Sequence, residues 1–172
     1  MFVIRELTTD EDIASAFPLM HELRDRIQAD TFIEEVHRQQ EESYFLLGGA
    51  VDGEWVVLAG VRLAHTLARG EHLFVDDLVT ASGVQGKGYG KEMMRHIAEL
   101  AEKRGLSRLY LDSRNTARGF YLRVGFTFGS ASPCWIETSK LLSNEPPRPH
   151  KPHKAQQPHK AKKPAAKQSR RK

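Results

Sequence analysis

The chain of 172 residues carries a formal net charge of +4, and its composition changes sharply after Leu142. Residues 143–172 hold ten basic residues, one acidic residue and six of the eight prolines. That segment has a net charge of +9, which leaves −5 for residues 1–142. This segment holds too few apolar side chains for their burial to offset the conformational entropy that the segment would lose on ordering. We therefore predict one folded domain over residues 1–142 and a disordered basic tail over residues 143–172.

Several classes of protein are excluded on composition. Cys134 is the only cysteine, which rules out an intramolecular disulfide and cysteine-based metal spacing. No pair of histidines has ligand spacing supported by a carboxylate, so we expect no metal site. The N-terminal stretch MFVIRELTTDED is unlike a signal peptide, and no apolar run approaches the roughly 20 residues that span a bilayer. We predict a cytoplasmic protein without a membrane segment.

The first 67 residues predict a strand, two helices and a β-hairpin. Residues 2–7, FVIREL, alternate apolar and polar side chains as a strand does. One of the two threonines that follow caps a helix whose first acidic residues suit the positive end of the helix dipole. Residues 31–43 form a second amphipathic segment. Residues 44–67 predict two strands joined at Asp52-Gly53, a dipeptide typical of hairpins.

The remainder of the domain alternates strands and helices. A strand at 72–80 leads through a glycine-rich loop into a helix at 90–105 that ends at a glycine. A short strand at 107–113 and a short helix at 115–125 follow, and residues 126–142 predict one or two final strands. The order βααβββαβαββ predicts a mixed α/β domain.

Three alternate glycines, Gly86, Gly88 and Gly90, lie between the strand and the long helix. Dense glycine costs conformational entropy, and backbone amides at a helix start bind phosphate best where no Cβ holds the anion away. The spacing fits neither the P-loop nor the dinucleotide fingerprint. The remaining pattern is Gln85-x-x-Gly88-x-Gly90, entered from a strand and continued by a helix.

This pattern resembles motif A of the GNAT superfamily of acyl-CoA N-acyltransferases. A second block, ARGFYLRVGF at residues 117–126, resembles that family's A-x-x-F-Y-x-x-x-G-F signature. The likeness covers roughly residues 1–142. It implies an α/β fold with a mixed, mostly antiparallel central sheet flanked by helices. It also implies an enzyme that moves an acetyl group from acetyl-CoA to a primary amine, on a small molecule or a lysine-containing peptide, by direct transfer in a ternary complex.

The resemblance also implies where acetyl-CoA binds. The amides from Gln85 to Gly90 would hold its pyrophosphate at the start of the long helix, and backbone N–H groups of the preceding strand would contact the thioester carbonyl. The two lysines of the loop either add Coulomb attraction or simply solvate the surface. The implied cofactor residues are Leu78, Val79, Thr80, Gln85, Gly86, Lys87, Gly88, Tyr89, Gly90 and Lys91.

Asn115 is a departure from the family pattern. Relatives often place an asparagine three residues before the signature alanine, where it contacts the cofactor. Here Arg114 holds that position and Asn115 follows one residue late. Either the loop is shorter by one residue and Asn115 contacts the cofactor, or Asn115 has no such role.

The chemistry requires three groups. A lysine-type amine has a pKa of about 10.4 and attacks a thioester only when neutral, so a proton acceptor, an oxyanion donor and an acid for the departing thiolate are needed. Tyr121 lies at the tyrosine of the family signature, which implies the acid role; the alternative is a tyrosine of the core.

Two adjacent acids in the predicted central strand, Asp76 and Asp77, are candidates for the proton acceptor. Neighbours in a strand face opposite sides, so at most one should point straight into a given cleft. By likeness to polyamine-type relatives, Asp76 would accept the proton and Asp77 would hold a substrate ammonium. Glu71 is the second choice as base. Alternatively, one acid caps a loop and the other faces solvent.

The basic tail suggests a second functional class. Its Lys, Ala and Pro composition resembles the tails of linker-histone-like proteins, which implies non-specific contact with nucleic acid through phosphate neutralisation. Two alternatives stay open: the tail only increases solubility, or its lysines are themselves acceptors of the acetyl group. In that second class, the domain is an acyl-CoA-binding, nucleic-acid-associated module whose tail defines its role. A homodimer is a further possibility that the resemblance implies.

Overall fold

The structure is a computed structural model that describes residues 1–131, 134 and 136–142. The chain divides into two units after Ser132, and the sheet and the candidate site lie within the first unit. The predictions for residues 143–172 lie outside the described residues.

The centre of the domain is a five-stranded sheet with the strand order β1-β2-β3-β4-β5. The first three pairs of neighbours are antiparallel, and only β4 and β5 are parallel. The predicted mixed, mostly antiparallel sheet is thus confirmed. The strands are β1 (Phe2–Glu6), β2 (Tyr44–Val51), β3 (Glu54–Thr66), β4 (Gly70–Thr80) and β5 (Leu109–Leu111).

Helices cover both faces of the sheet. The first two pack with one buried cluster that includes Leu46 and Leu58, and the third packs with a second cluster that includes Val57 and Leu73. Residues that alternate along a strand therefore serve opposite layers of the core. In the first unit the helices are α1 (Asp10–Leu23), α2 (Phe32–Gln40), α3 (Tyr89–Lys103) and α4 (Arg118–Val124), whereas α5 (Thr138–Leu142) belongs to the second unit.

The predicted turns and caps occur where the sequence places them. Asp52 and Gly53 join β2 to β3 with φ values of 51° and 91°, the left-handed pair that a tight two-residue hairpin requires. The backbone N–H of Asp12 donates to Thr9 Oγ1 at 3.2 Å, which caps α1. Gly125 follows α4 at a φ of 111°.

The prediction of one or two final strands was wrong for the described residues. Among residues 126–131, 134 and 136–142 there is no strand, and α5 occupies the end of the segment. Apolar alternation extends only from Phe126 to Phe128 before a run rich in glycine and serine, which favours turns over a ladder. Phe128 instead packs under the Arg118 guanidinium, whose carbon lies 3.9 Å from the ring centroid.

An irregularity in the β3–β4 pairing determines the geometry of the site. Gly60 is opposite Asp77, but Val61 is opposite Val75, so Asp76 is an extra residue in β4. Such a β-bulge bends the strand and breaks the strict alternation of side chains. The expectation that only one of the two acids points into a given cleft was therefore wrong, because both line the same cavity.

Candidate active site

The glycine loop forms a group of unpaired amides in front of α3. A 3₁₀ turn, Ser82–Val84, follows β4, and the chain then passes through Gly86 and Gly88 at φ values of 83° and 95°. L side chains rarely adopt this conformation, so both positions favour glycine. A Cβ at either glycine would have nothing within 4 Å, so the space in front of the loop is open.

Four consecutive or near-consecutive N–H groups of this loop lack an acceptor within the described part of the chain, namely those of Gly86, Gly88, Tyr89 and Gly90. They lie at the N-terminus of a helix of 15 residues, where the helix dipole adds partial positive charge. The exposed Lys87 and Lys91 flank them. This arrangement suits a pyrophosphate without any side-chain ligand.

The edge of β4 opens beside this loop. β5 pairs with β4 only at residues 73–75, so residues 76–80 have no neighbour on that side. The N–H of Ala81 donates to the Val56 carbonyl at 3.0 Å, and alternation along the strand then turns the N–H groups of Leu78 and Thr80 away from β3. These are the two amides that the sequence suggested for the thioester carbonyl.

Val79, Gln85 and Asn115 are less directly placed for a cofactor. The same alternation turns the polar groups of Val79 toward β3, and its side chain is buried against α1 and α2. Gln85 uses its side-chain Nε2 to hold the Thr80 carbonyl at 3.3 Å. Asn115 is exposed in the 3₁₀ turn Asn115–Ala117, whereas Arg114, in the family's asparagine register, lines the cleft described next.

We call this cleft the α4 cavity; its volume is about 360 Å³. It lies beside the unpaired part of β4 and continues to α4. Its lining residues are Leu23, Arg24, Phe74, Val75, Asp76, Leu78, Asp112, Arg114, Ala117 and Tyr121.

Tyr121 is the candidate acid in the α4 cavity. Its side chain is only 8% exposed and meets the rings of Phe120 and Phe126 edge-on. Burial raises the pKa of the hydroxyl above its usual value, so it keeps its proton at neutral pH. Among the described residues, the hydroxyl has no hydrogen-bond partner, and it is therefore available to a ligand in the cavity.

A second cleft, the α2 cavity, lies between α1, α2 and the bulge of β4, and its volume is about 340 Å³. It shares only Arg24 and Asp76 with the α4 cavity. Its lining residues are Met20, Arg24, Ile27, Phe32, Glu35, Val36, Gln39, Glu42, Tyr44, Arg62, Asp76 and Asp77.

Each acid of the bulge is paired with an arginine. Arg62 Nη2 lies 2.7 Å from Asp76 Oδ1, and Arg24 Nε lies 2.6 Å from Asp77 Oδ1. Arg24 Nη2 also donates to the Asp76 carbonyl at 2.8 Å. Neither acid caps a loop.

Asp76 and Asp77 differ in whether the second carboxylate oxygen has a hydrogen-bond partner. Asp77 Oδ2 accepts from the Tyr44 hydroxyl at 3.4 Å, whereas Asp76 Oδ2 has no hydrogen-bond partner within the described residues. Burial raises the pKa of Asp76, and the nearby Arg62 reverses only part of that effect. Asp76 is thus a carboxylate with a free oxygen, an elevated pKa and access to both cavities.

Tyr44 lines the α2 cavity beside Asp77. It is 5% exposed, and burial together with the charges of Asp77 and Asp76 raises its pKa well above the usual value, so the hydroxyl stays protonated. The ring lies over Gly60, where an added Cβ would approach the Tyr44 hydroxyl oxygen to 2.1 Å. Glycine at position 60 is therefore required by this close approach.

The sequence did not identify Arg24, Arg62, Tyr44 or Arg114 as site residues. Arg24 follows directly after α1, and in the sequence its one distinguishing feature is this position at the end of the helical pattern. Arg114 Nη2 donates to the Leu23 carbonyl at 3.3 Å, which ties the α4 cavity to the end of α1. These contacts depend on how the elements pack, since three of them join residues 33 to 91 positions apart. The fourth, Arg62 with Asp76, depends on the register of β3 against β4.

Glu71, the second choice as base, lines neither cavity. It precedes Asp76 by five positions on β4, about 17 Å at the rise of an extended strand. Within the described ranges, no group of three or more His, Cys, Asp or Glu side chains is arranged to hold a metal ion. None of the helices described has the length and apolar character needed to cross a membrane.

Comparisons with known proteins identify relatives of this chain. The chain is 33% identical over 135 residues to the uncharacterized N-acetyltransferase YhdJ of Bacillus subtilis, which covers 76% of this chain and 95% of that protein. It is 32% identical over 130 residues to the streptothricin acetyltransferase of Streptomyces lavendulae, covering 74% of this chain and 64% of that protein.

Solved structures share the fold. The ribosomal-protein-alanine N-acetyltransferase of Brucella melitensis superimposes with a TM-score of 0.67 at 22% identity, covering 80% of this chain and 99% of that chain. The profile of the Acetyltransferase (GNAT) family matches residues 4–126, most of the described domain. This chain therefore belongs to the GNAT family of acyl-CoA-dependent N-acetyltransferases.

Proposed function

We propose that the protein transfers an acetyl group from acetyl-CoA to a primary amine, on a small molecule or a lysine side chain, by direct attack in a ternary complex. One observation carries the proposal: Asp76 lines two cavities, one that contains Tyr121 and borders the open edge of β4, and one that is lined by three further carboxylates. A donor cleft and an acceptor cleft that share a base support transfer without a covalent enzyme intermediate.

In this proposal the α4 cavity receives the donor. The free amides from Gly86 to Gly90 hold the pyrophosphate of acetyl-CoA, assisted by the dipole of α3. The thioester lies along the open edge of β4, where the N–H groups of Leu78 and Thr80 donate to its carbonyl oxygen and to the oxyanion that develops there. Lys87 and Lys91 add attraction for the phosphates.

The α2 cavity receives the acceptor, which arrives as an ammonium ion at neutral pH. Asp76 Oδ2 accepts a proton from it, and the neutral nitrogen then attacks the thioester carbon. As the carbon–sulfur bond breaks, Tyr121 donates its proton to the sulfur. The excess proton of the new amide nitrogen returns to the Tyr121 oxygen, and Asp76 releases its proton to solvent. The products are the acetylated amine and CoA as a thiol.

Asp77 was predicted to hold the substrate ammonium, and this remains a prediction. Its carboxylate is engaged by Arg24, whose side chain is 44% exposed and borders both cavities. In the proposal, the entering ammonium replaces the Arg24 guanidinium at Asp77, while Arg24 moves outward. Arg24 thus occupies the position that the reacting amine takes.

The test compares wild type with Tyr121→Phe in an assay of thiol release from acetyl-CoA with a panel of amines and lysine peptides. Loss of the hydroxyl removes the acid, so kcat should fall about 100-fold, within the usual range for general acid catalysis, while KM for acetyl-CoA changes little. Tyr110→Phe is the matched control, since Tyr110 packs against His72 and Arg69 and lines neither cavity. Equal kcat values for Tyr121→Phe and wild type contradict the acid role.

Contact of residues 143–172 with nucleic acid remains a separate proposal, supported by their net charge of +9. Binding of the full chain to a DNA duplex should weaken steeply between 50 and 200 mM salt, because phosphate neutralisation releases counterions. Absence of binding at the lower salt concentration argues against it. Homodimer formation likewise remains a proposal, tested by the molecular mass of the full chain in solution.

A further inference from the structure

The lining of the α2 cavity combines acidic side chains with apolar ones. Four of its residues lie on one face of α2, because Phe32, Glu35, Val36 and Gln39 follow the spacing i, i+3, i+4 and i+7. Phe32 and Val36 are buried, whereas Glu35 and Gln39 reach the cavity at its margin. The helix thus supplies both apolar floor and acidic rim.

The charges of the bulge acids are compensated. Arg62 and Arg24 each form an ion pair with one acid of the bulge, at 2.7 and 2.6 Å. This part of the lining therefore presents two carboxylates and two guanidinium groups, with no net formal charge.

The two glutamates of the lining are not compensated in this way. The carboxylate of Glu42, in the turn after α2, has no ion pair or hydrogen bond within the described part of the chain, although its backbone N–H donates to the Gln39 carbonyl at 2.9 Å. Glu35 reaches only Arg38 of its own helix, at 3.4 Å, a long and exposed contact. Counting all lining residues, four carboxylates face two guanidinium groups, a formal excess of −2 that belongs to Glu35 and Glu42.

Hydrocarbon side chains complete the lining. Met20, Ile27, Phe32 and Val36 line the same cavity as the bulge acids and the two glutamates. Apolar surface of this kind favours methylene groups, and an uncompensated carboxylate favours a cation.

We propose that the acceptor is an elongated aliphatic amine that carries a second positive charge. Its reacting nitrogen reaches Asp76, its methylene chain lies against the apolar lining, and its distant ammonium lies at Glu42 and Glu35. The inference rests on the proposed function for its reacting end, but the selection for two charges is a property of binding alone.

The experiment compares α,ω-diamines of four to eight carbons with monoamines of equal length. Dissociation constants are measured by calorimetry with the full chain in the absence of acetyl-CoA, and kcat/KM is measured in its presence. We expect the best diamine to bind about tenfold more tightly than its monoamine, as a charge-assisted contact provides. This difference should shrink as salt is added.

Two variants with the same change of net charge locate the effect. Glu42→Gln should weaken binding of the diamine five- to tenfold and raise its KM, while leaving the monoamine unchanged. Glu41→Gln should alter neither, because Glu41 is exposed and lines neither cavity.

The outcomes separate the two proposals. Equal binding of diamine and monoamine, or equal losses in Glu41→Gln and Glu42→Gln, overturns the inference. Selective binding of the diamine that depends on Glu42, without any turnover, supports the inference and refutes the proposed function. Turnover of monoamines with no preference for diamines supports the proposed function and overturns the inference.

Discussion

The two sides of the proposed reaction, the backbone stretch that would bind the donor and the α2 cavity that would bind the acceptor, are built in different ways. The donor side takes its free N–H groups from one continuous stretch, residues 78–91, and the backbone itself would be the ligand. The acceptor side takes its lining from α1, the segment after it, α2, the turn after α2, β2, β3 and β4, and side chains define its chemistry. A contiguous backbone site leaves a motif in the sequence, whereas a site assembled from seven parts of the chain leaves none.

This difference has a physical basis. Binding phosphate through N–H groups requires particular φ values, which restrict residue type at each position and so create the glycine pattern. An acceptor cavity requires only charge and shape at its walls, and many residues at many positions can supply these. Variants should therefore separate the sides: changes at the loop alter donor binding, and changes at the ion pairs alter acceptor binding.

The largest effect is expected at Asp76, which both sides share. In the proposed function, Asp76→Asn removes the proton acceptor, and it also leaves Arg62 without its carboxylate, so kcat/KM should fall at least about 100-fold. In wild type, the carboxylate must be ionised to accept a proton, so activity should be lost as the pH falls through its raised pKa, above the ordinary 3.8. The pH profile of kcat/KM measures this.

Asp112→Asn is the control for Asp76, since Asp112 also lines the α4 cavity but is exposed. It should retain the acid limb of the profile and most of the activity. An unchanged acid limb in Asp76→Asn shows that another group is the base.

The next effect concerns stability on the acceptor side. Gly60→Ala brings a Cβ to 2.1 Å from the Tyr44 hydroxyl oxygen, so the buried ring must move. Overpacking of this kind should lower the free energy of unfolding by about 1–3 kcal/mol, measured by urea denaturation. Gly129→Ala, where nothing lies within 4 Å of the added carbon, is the control and should leave the midpoint unchanged. Equal midpoints for both variants contradict the packing described for Tyr44.

A smaller effect, confined to the donor side, is expected at Gly88. Gly88→Ala strains a backbone held at a φ of 95°, at a cost of about 1–2 kcal/mol. The dissociation constant of CoA should rise about tenfold while acceptor binding stays the same. Gly83→Ala adds the same methyl group in open space at an ordinary φ and should bind CoA normally. Weaker acceptor binding in Gly88→Ala contradicts the separation of the two sides.

The smallest effect is expected at Arg24, which borders both cavities. Arg24→Met keeps an aliphatic chain but removes the cation paired with Asp77, so an acceptor ammonium meets no competitor there. Acceptor KM should fall two- to fivefold, as expected for a half-exposed ion pair, with CoA binding unchanged. Arg26→Met, at an exposed neighbouring position, is the control. A higher acceptor KM in Arg24→Met indicates that the guanidinium positions Asp77 instead of competing with the acceptor.

The sequence alone determined the elements whose signals are local. The Asp52-Gly53 turn, the Thr9 cap and the glycines after α3 and α4 follow from backbone preferences of single residues, and the loop before α3 follows from its spacing. The final strands were predicted wrongly because their alternation is too short to outweigh the turn-forming residues that follow.

Only the tertiary structure decided how the acids of β4 are used. The bulge at Asp76 depends on how β4 pairs with β3, and it places both acids in one cavity against the alternation of a regular strand. The pairing of Arg24 with Asp77 joins residues 53 positions apart, which no local pattern encodes. Charge and burial at a site depend on what folding brings together, so the donor loop was predictable and the acceptor cavity was not.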